Sequence, residues 1–271
     1  MKSSPSLAQW ASQFQPYTLA LLRTVAALLY WEHGAWKLFG WFGGHAVPAY
    51  GLFWFGGVIE VICAPLLFVG LLTRPIAVLL CGEMAVAYLT QHLPHGWSPI
   101  QNEGLVPLQY LMIFLLLSTR GPGAFSIDAL LRADRQQETN RFSRLLNQFY
   151  PVALTVARIL AAFLFWQFAA RKMFGWFGGR VAKFGTRLWV AGAMEAIGAP
   201  LIAVGLFTRA LAFWFCGEMA VAFWTSHAPR GHFWPIQNGG EPAVLFCFIF
   251  LFLATAGPGR LSIDGLLNRA L

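Results

Sequence analysis

The chain has 271 residues, of which 58% are hydrophobic and only 11% are charged, and its formal net charge is +8. Because a soluble domain carries about 25% charged residues, most of this surface is too apolar to face water. The composition excludes a soluble globular protein and predicts a polytopic membrane protein. Its expected partner is the lipid bilayer, and no nucleic-acid partner is expected.

Apolar segments occur along the whole chain, and a window of roughly 17–25 such residues is long enough to cross a bilayer as a helix. The predicted spans are residues 17–39, 50–72, 75–92, 105–119, 152–174, 188–207, 209–227 and 242–256. Short amphipathic stretches precede the first and fifth spans, and they predict interfacial helices that end at Pro16 and Pro151. The predicted fold class is an all-α integral membrane protein with eight transmembrane helices.

The sequence contains an internal repeat. KLFGWFGG at 37–44 returns as KMFGWFGG at 172–179, and CGEMAVA at 81–87 returns unchanged at 216–222. Self-similarity of this density indicates two copies of one unit. We assign residues 1–133 to the first repeat, 134–141 to a polar linker and 142–271 to the second repeat. An even number of spans per copy predicts two parallel four-helix bundles.

Lysine and arginine are distributed unevenly between the two predicted sides of the membrane. The side with both termini carries ten of them and the opposite side seven. Because cytoplasmic segments are enriched in these residues, the count favours cytoplasmic termini.

Each repeat places ionisable residues inside its predicted spans, where they are costly and usually mark function. The predicted buried charge or ligand site consists of Arg23, Glu60 and Glu83, with Arg158, Glu195 and Glu218 in the second repeat. A simple account pairs the arginine with Glu83 and leaves one glutamate per repeat to be protonated or to face a polar cavity. The alternative is that an Arg–Glu pair only fixes helix packing.

A second group of polar residues lies toward the outer ends of the spans, at equivalent positions in the two repeats. This predicted outer-face site consists of Lys37, His92, Lys172 and His227. Lysine could contact an anionic or quinoid head group or anchor its helix at the interface. The histidines could bind a ligand or satisfy loop carbonyls. Their spacing does not favour a metal site.

The two halves differ at polar positions. His33 is replaced by Phe168 and Glu32 by Gln167, and the loop QNEGLVP at 101–107 becomes QNGGEPA at 237–243. Any sites in the two repeats are therefore expected to be inequivalent. The four cysteines lie inside predicted spans without a C-x-x-C pair, so we interpret them as small apolar residues.

The motif set resembles the DoxX family of DoxX/DoxD-like membrane proteins. The resemblance lies in G-x-x-K-L-F-G-W-F-G-G (34–44), E-x-x-x-x-P-L-L-x-x-G-L-L-T-R (60–74), E-M-A-V-A (83–87) and G-P-G-x-x-S-I-D (121–128), and nearly all of these return in the second half. It covers almost the whole chain twice, as a tandem duplication of the family unit.

The resemblance implies a membrane subunit of a quinone-linked redox complex in the bacterial inner membrane. It implies other membrane redox subunits as partners, no intrinsic cofactor, and a quinone or lipid as the bound molecule. Two alternatives remain, a transporter or permeation module for a small solute or ion and a non-catalytic scaffold or assembly factor. Whether the protein is an enzyme stays open.

Overall fold

A computed structural model describes residues 7–135 and 141–270, and every regular element within them is helical. The first half contains α1 (Leu7–Gln13), α2 (Gln15–Phe39), α3 (Leu52–Val69), α4 (Thr73–Ala87), α5 (Leu105–Arg120) and α6 (Ile127–Arg135). The second half contains α7 (Arg141–Phe174), α8 (Arg187–Val204), α9 (Thr208–Ala222), α10 (Pro235–Asn238), α11 (Glu241–Ala256) and α12 (Ile263–Ala270). Helices α4 and α9 continue into π-helical turns, Tyr88–His92 and Phe223–His227. Residues 136–140 of the predicted linker lie outside the described residues.

Membrane-spanning character is clear for part of the chain. Four segments are long and apolar enough to cross a membrane: Leu52–Val69, Thr73–His95, Arg141–Phe174 and Arg187–Val204. Leu105–Arg120 and Glu241–Ala256 are shorter apolar helices. The protein is thus an all-helical membrane protein, whereas the predicted number of eight spans is not confirmed.

The two repeats share one hydrophobic core. Within each repeat the first helix packs on the second and the third on the last, as α2 on α3 and α4 on α5. Between repeats, α5 packs against α7 and α2 against α11. The buried cluster accordingly contains apolar residues of both halves. Two separate four-helix bundles are therefore not confirmed, since the central helices of each repeat contact those of the other.

The predicted interfacial helix before the fifth span is not a separate element, and this prediction was wrong. Pro151 lies inside α7, which runs without a break from Arg141 to Phe174. A proline removes one backbone hydrogen bond, but the remaining groups still gain most by staying helical in an apolar environment. Before the first span, α1 and α2 are separated at Phe14, and Pro16 occupies the first turn of α2.

The recurring Ser-Ile-Asp motif caps a helix. The carboxylate of Asp128 accepts hydrogen bonds from the backbone N–H groups of Leu72 (2.9 Å) and Thr73 (2.8 Å) at the start of α4. Asp264 does the same for Phe207 and Thr208 at the start of α9. A carboxylate at a helix N-terminus satisfies free N–H groups and complements the helix dipole, so this motif is explained by folding.

The recurring Thr-Arg motif joins the two repeats. Arg74 donates to the carbonyls of Ser118 and Thr119 at the end of α5 and to Asn147 Oδ1 of the second half at 2.6 Å. Arg209 binds the end of α11 in the same way and donates to Ser12 Oγ of the first half at 2.9 Å. Ser12 and Asn147 occupy equivalent positions, so the contact is made twice across the pseudo-symmetric interface.

The repeated glycine-rich stretch is also an inter-repeat contact. Gly40 and Gly175 end α2 and α7 with φ of 66° and 69°, a conformation that favours glycine. Phe42 and Phe177 follow in left-handed conformations with φ of 58° and 55°. Their rings pack against aromatic residues of the opposite repeat, with centroids 5.1 Å from Trp234 and 5.7 Å from Trp97, respectively.

We expect mild oxidation to cross-link α9 to α11 through Cys216 and Cys247. Their Sγ atoms lie 3.7 Å apart, so a small side-chain rotation brings them to bonding distance. Peptide mass spectrometry after treatment with copper phenanthroline measures the bond. Cys81, the counterpart of Cys216, faces the carbonyl of Leu111 instead and serves as the control. A cross-link at Cys81 with none at Cys216 would contradict this packing.

Candidate functional site

A partly buried ion pair joins α2 and α3 in the first repeat. Lys37 Nζ is 2.5 Å from Glu60 Oε1, and the side chains of Lys37 and Glu60 are 18% and 1% exposed. The second oxygen of Glu60 is buried and meets no hydrogen-bond partner among the described residues. Glu60 Oε2 is therefore a buried acceptor that is available to a hydrogen-bond donor of a ligand.

Two glycines allow α2 and α3 to approach closely enough for this pair. A Cβ atom at Gly34 would lie 2.9 Å from Glu60 Cβ, and one at Gly57 would lie 3.1 Å from Lys37 Cβ. Real Cβ atoms essentially never show a contact as short as the first, so a larger residue at Gly34 would push the helices apart, and a larger residue at Gly57 would require a small shift of its neighbours. The lysine stem can lie along this close contact while its amine reaches the carboxylate inside the bundle.

Glu83 completes the first carboxylate site, the name used here for Lys37, Glu60 and Glu83. Tyr30 of α2 donates a 3.0 Å hydrogen bond to Glu83 Oε2. The other oxygen faces α3 at Gly56, where an added Cβ would lie 3.3 Å from Glu83 Oε1 and 3.9 Å from Lys37 Nζ. Two acids, one lysine and one phenol thus converge inside the membrane helices.

The second carboxylate site consists of Lys172, Glu195 and Glu218. Lys172 Nζ is 2.5 Å from Glu195 Oε1, and Glu195 is fully buried. Glu218 lies beside Glu195, close enough for the two carboxyl groups to share a hydrogen bond when one is protonated. Phe165 stands where the first repeat has Tyr30, and no donor among the described residues reaches either buried oxygen of Glu218.

The predicted pairing of arginine with glutamate is wrong. Arg23 is 1% exposed, and it donates to the carbonyls of Pro122 (2.9 Å) and Phe125 (3.0 Å) in the loop that follows α5. Fourteen residues of α2, about 21 Å along its axis, separate Arg23 from Lys37. Gly70 provides the space, because a Cβ there would meet the guanidinium at 2.2 Å.

Arg158 repeats this arrangement in the second half. It donates to the carbonyls of Pro258, Leu261 and Ala203. The guanidinium groups therefore bind backbone carbonyls, mostly in the loops that follow α5 and α11, rather than carboxylates. The structure brings the predicted glutamates together with the lysines and leaves the arginines apart from them.

The histidines of the predicted outer-face site contact loops. His92 Nδ1 is 2.9 Å from the Asn102 carbonyl, and His227 Nδ1 is 3.3 Å from the Asn238 carbonyl. Lys37 and Lys172 instead bind the glutamates described above. Within the described residues, no three His, Cys, Asp or Glu side chains are grouped so as to hold a metal ion.

A further cluster of polar side chains lies where the two repeats meet, and it was not predicted from the sequence. We call it the interface cluster, and it consists of Glu32, His33, Tyr110 and Glu241. His33 Nε2 lies 2.8 Å and 3.0 Å from the two carboxylate oxygens of Glu241, and Tyr110 donates to Glu241 Oε1 at 2.5 Å. Glu32 Oε2 accepts from the backbone N–H of Ile236 at 3.2 Å, while its buried Oε1 meets no partner among the described residues.

The pseudo-symmetric counterpart of the interface cluster is largely apolar. Leu105, Phe168 and Phe246 stand at the positions of Glu241, His33 and Tyr110, and the rings of Phe168 and Phe246 pack at 6.1 Å. Gln167 replaces Glu32 and accepts from Ser98 Oγ at 2.9 Å. The sequence feature that points to this cluster is the set of positions at which the two halves differ, such as His33 and Phe168 or Glu32 and Gln167.

Comparison with known proteins matches one family model to both halves of the chain. The DoxX family model matches residues 18–93 and 153–228. An uncharacterized protein of Haemophilus influenzae is 37% identical over 125 residues, which cover 44% of this chain and 93% of that protein. A second uncharacterized protein of the same organism is 36% identical over 73 residues, which cover 27% of this chain and 48% of that protein. No solved structure matches significantly.

Proposed function

Because the chain belongs to the DoxX family of membrane proteins as a tandem duplication of its unit, we propose that it is a membrane subunit of a quinone-linked redox complex. In this proposal each carboxylate site binds a quinol head group and takes up its protons. The observation that carries it is the set of buried carboxylate oxygens on Glu60, Glu195 and Glu218 that no cation or neutral donor among the described residues reaches, beside a partly buried lysine. In the second site, Glu195 and Glu218 can also hydrogen-bond to each other when one of them is protonated.

The chemistry of the residues fits a quinol. A quinol presents two hydroxyl donors, and an ionised carboxylate accepts hydrogen bonds only. Lys37 and Lys172 supply donors for the carbonyl oxygens of the oxidised form. A carboxylate that accepts the hydroxyl hydrogen bond also accepts the proton released on oxidation, which is general base catalysis. Electron transfer itself is assigned to partner redox subunits.

An apolar groove of about 220 Å³ between α7 and α8 supports entry of a ligand from the lipid in the second repeat. Phe163, Trp166, Ala199 and Pro200 line it, and Phe163 is 40% exposed at its rim. Ala199 lies four residues after Glu195, so the groove is one helical turn from the second carboxylate site. An apolar ligand could reach that turn without leaving the membrane.

We place the protein in the bacterial inner membrane with both termini in the cytoplasm. The excess of lysine and arginine on the side with the termini, ten against seven, supports this orientation. Partner redox subunits would then meet α1, α6 and α12 on the cytoplasmic side or the outer loops on the other side.

We expect the double variant Glu83→Gln/Glu218→Gln to bind a short-chain quinol about 10–100-fold more weakly, because each glutamine loses a charge-assisted hydrogen bond. Quenching of tryptophan fluorescence in nanodiscs measures the affinity, and extraction with mass spectrometry measures the quinone that copurifies. Glu103→Gln is the control, since Glu103 is an exposed carboxylate outside both sites and outside the interface cluster described above.

Three outcomes separate the candidate functions. Weaker quinol binding with an unchanged melting temperature supports the quinone role. Loss of thermal stability with unchanged quinol binding and copurified quinone refutes it and identifies the sites as a structural scaffold. Unchanged binding with altered proton or solute flux in liposomes also refutes it.

A transporter is the second candidate, and one observation favours it. Pro65 and Pro200 lie inside α3 and α8, each five residues after a buried glutamate. Each proline leaves a carbonyl next to that glutamate without its helical donor. Free carbonyls and carboxylates along one helix are the groups that line ion paths in membrane proteins.

A further inference from the structure

The interface cluster makes the two halves of the molecule chemically different. Glu241 and Tyr110 belong to different repeats, yet their side chains meet at 2.5 Å. Three members of the cluster are buried, with Glu32 and Tyr110 each 1% exposed and the Glu241 side chain 6% exposed, whereas the His33 side chain is 27% exposed. Buried polar groups are costly unless they are paired, and the apolar counterpart in the second half packs without them.

His33 connects this cluster to the first carboxylate site. It lies four residues before Lys37 on α2, so the two side chains share a helix face. The charged groups that face the His33 ring are Glu241 from α11, Glu60 from α3 and Lys37 from its own helix. Glu32 adds a further charge near Glu241. His33 thus lies within electrostatic range of both Glu60 and Glu241, and its ring hydrogen-bonds to Glu241.

We propose that His33 and Glu241 form a proton relay that serves the first carboxylate site and has no equivalent in the second. A proton that leaves the site is taken up on one ring nitrogen of His33, and the proton on Nε2 passes to the Glu241 carboxylate. Histidine suits this step because either ring nitrogen can carry the proton. Tyr110 orients Glu241 as a positioning residue.

The relay rests on the proposed function in one respect, that the first carboxylate site takes up protons. It does not require that a quinol supplies them. Near the second site, Phe168 of the second repeat and Leu105 of the first stand at the positions of His33 and Glu241 and cannot carry protons. The first site therefore exchanges protons faster than the second. The unpaired Oε1 of Glu32, also buried at the interface, can receive the proton beyond Glu241.

Carbodiimide trapping in liposomes tests the relay, because carbodiimides modify protonated carboxyl groups in apolar surroundings. After a jump from acidic to alkaline pH, peptide mass spectrometry follows how fast Glu60 and Glu83 lose reactivity compared with Glu195 and Glu218. We expect the first site to respond faster by about tenfold or more. In Glu241→Gln, which keeps the acceptor and the shape, this difference should disappear.

The variant Glu32→Gln/His33→Phe/Tyr110→Phe/Glu241→Leu is the second test. It gives the cluster the residues of its counterpart, a set that already packs in this fold, so folding is expected to survive. Equal exchange rates in the wild type, or an unchanged difference in Glu241→Gln, would overturn the relay. Quinol affinity of the same variants is measured separately, so the relay and the quinone proposal can fail independently.

Discussion

Replacing Lys172 with alanine is expected to lower the free energy of unfolding by about 3–5 kcal/mol, because breaking a buried ion pair leaves an uncompensated charge. Glu195 is fully buried and loses its only cation partner in the second carboxylate site, while Glu218 lies beside it. Denaturant or thermal unfolding in detergent micelles measures the change. The exposed Lys183 in the same repeat is the matched control and should tolerate alanine.

The double variant Lys172→Met/Glu195→Leu should recover most of this loss, since well-packed apolar residues often replace buried ion pairs at little cost. Recovery of stability together with loss of quinol binding would show that the pair is kept for function rather than for folding. If Lys172→Ala unfolded like the wild type, the ion pair described here would not exist in the membrane.

Replacing Arg23 with leucine is expected to lower the free energy of unfolding by about 3 kcal/mol, because one buried and one partly buried carbonyl each lose a charged donor. Those carbonyls belong to Pro122 and Phe125, in the loop that leads from α5 to the capping Asp128. The loss should therefore also loosen the start of α4. Hydrogen exchange at Leu72 and Thr73 measures that local effect, and thermal unfolding measures the global one.

Arg187→Leu, at an exposed position, is the control for removal of a charge. Quinol affinity should stay unchanged in Arg23→Leu once the variant is folded at lower temperature. A variant that kept its stability and lost quinol binding would instead restore Arg23 to the ligand site that the sequence predicts.

Much of the architecture could be predicted from the sequence, because repetition and hydropathy are properties of the linear chain. The duplication, the family and the intramembrane glutamates Glu60, Glu83, Glu195 and Glu218 follow from residues that recur at a fixed offset. The lysines that pair with these glutamates could not be predicted in this way. Lys37 stands near the end of α2 in the sequence, and only the close approach at Gly34 and Gly57 carries its amine to Glu60.

The interface cluster could not be predicted because its members come from both repeats. Helical spacing relates His33 to Lys37, but nothing in the sequence places Glu241 next to His33. The arginines were misassigned for a related reason. A charge inside an apolar segment looks alike in the sequence whether a carboxylate or a loop carbonyl neutralises it, and Arg23 meets carbonyls.

The reach of Phe42 and Phe177 into the opposite repeat has a consequence for the history of the fold. A chain with a single copy of the unit could make this contact only with another molecule of itself, as a symmetric dimer. When two copies are fused in one chain, each copy meets the other at a high effective concentration, and the contact no longer depends on the association of separate molecules. Once the partner is guaranteed, the halves no longer need to be identical. Each half can then contribute a different residue to a His33–Glu241 contact that occurs once in the molecule, whereas a symmetric dimer would have to form it twice.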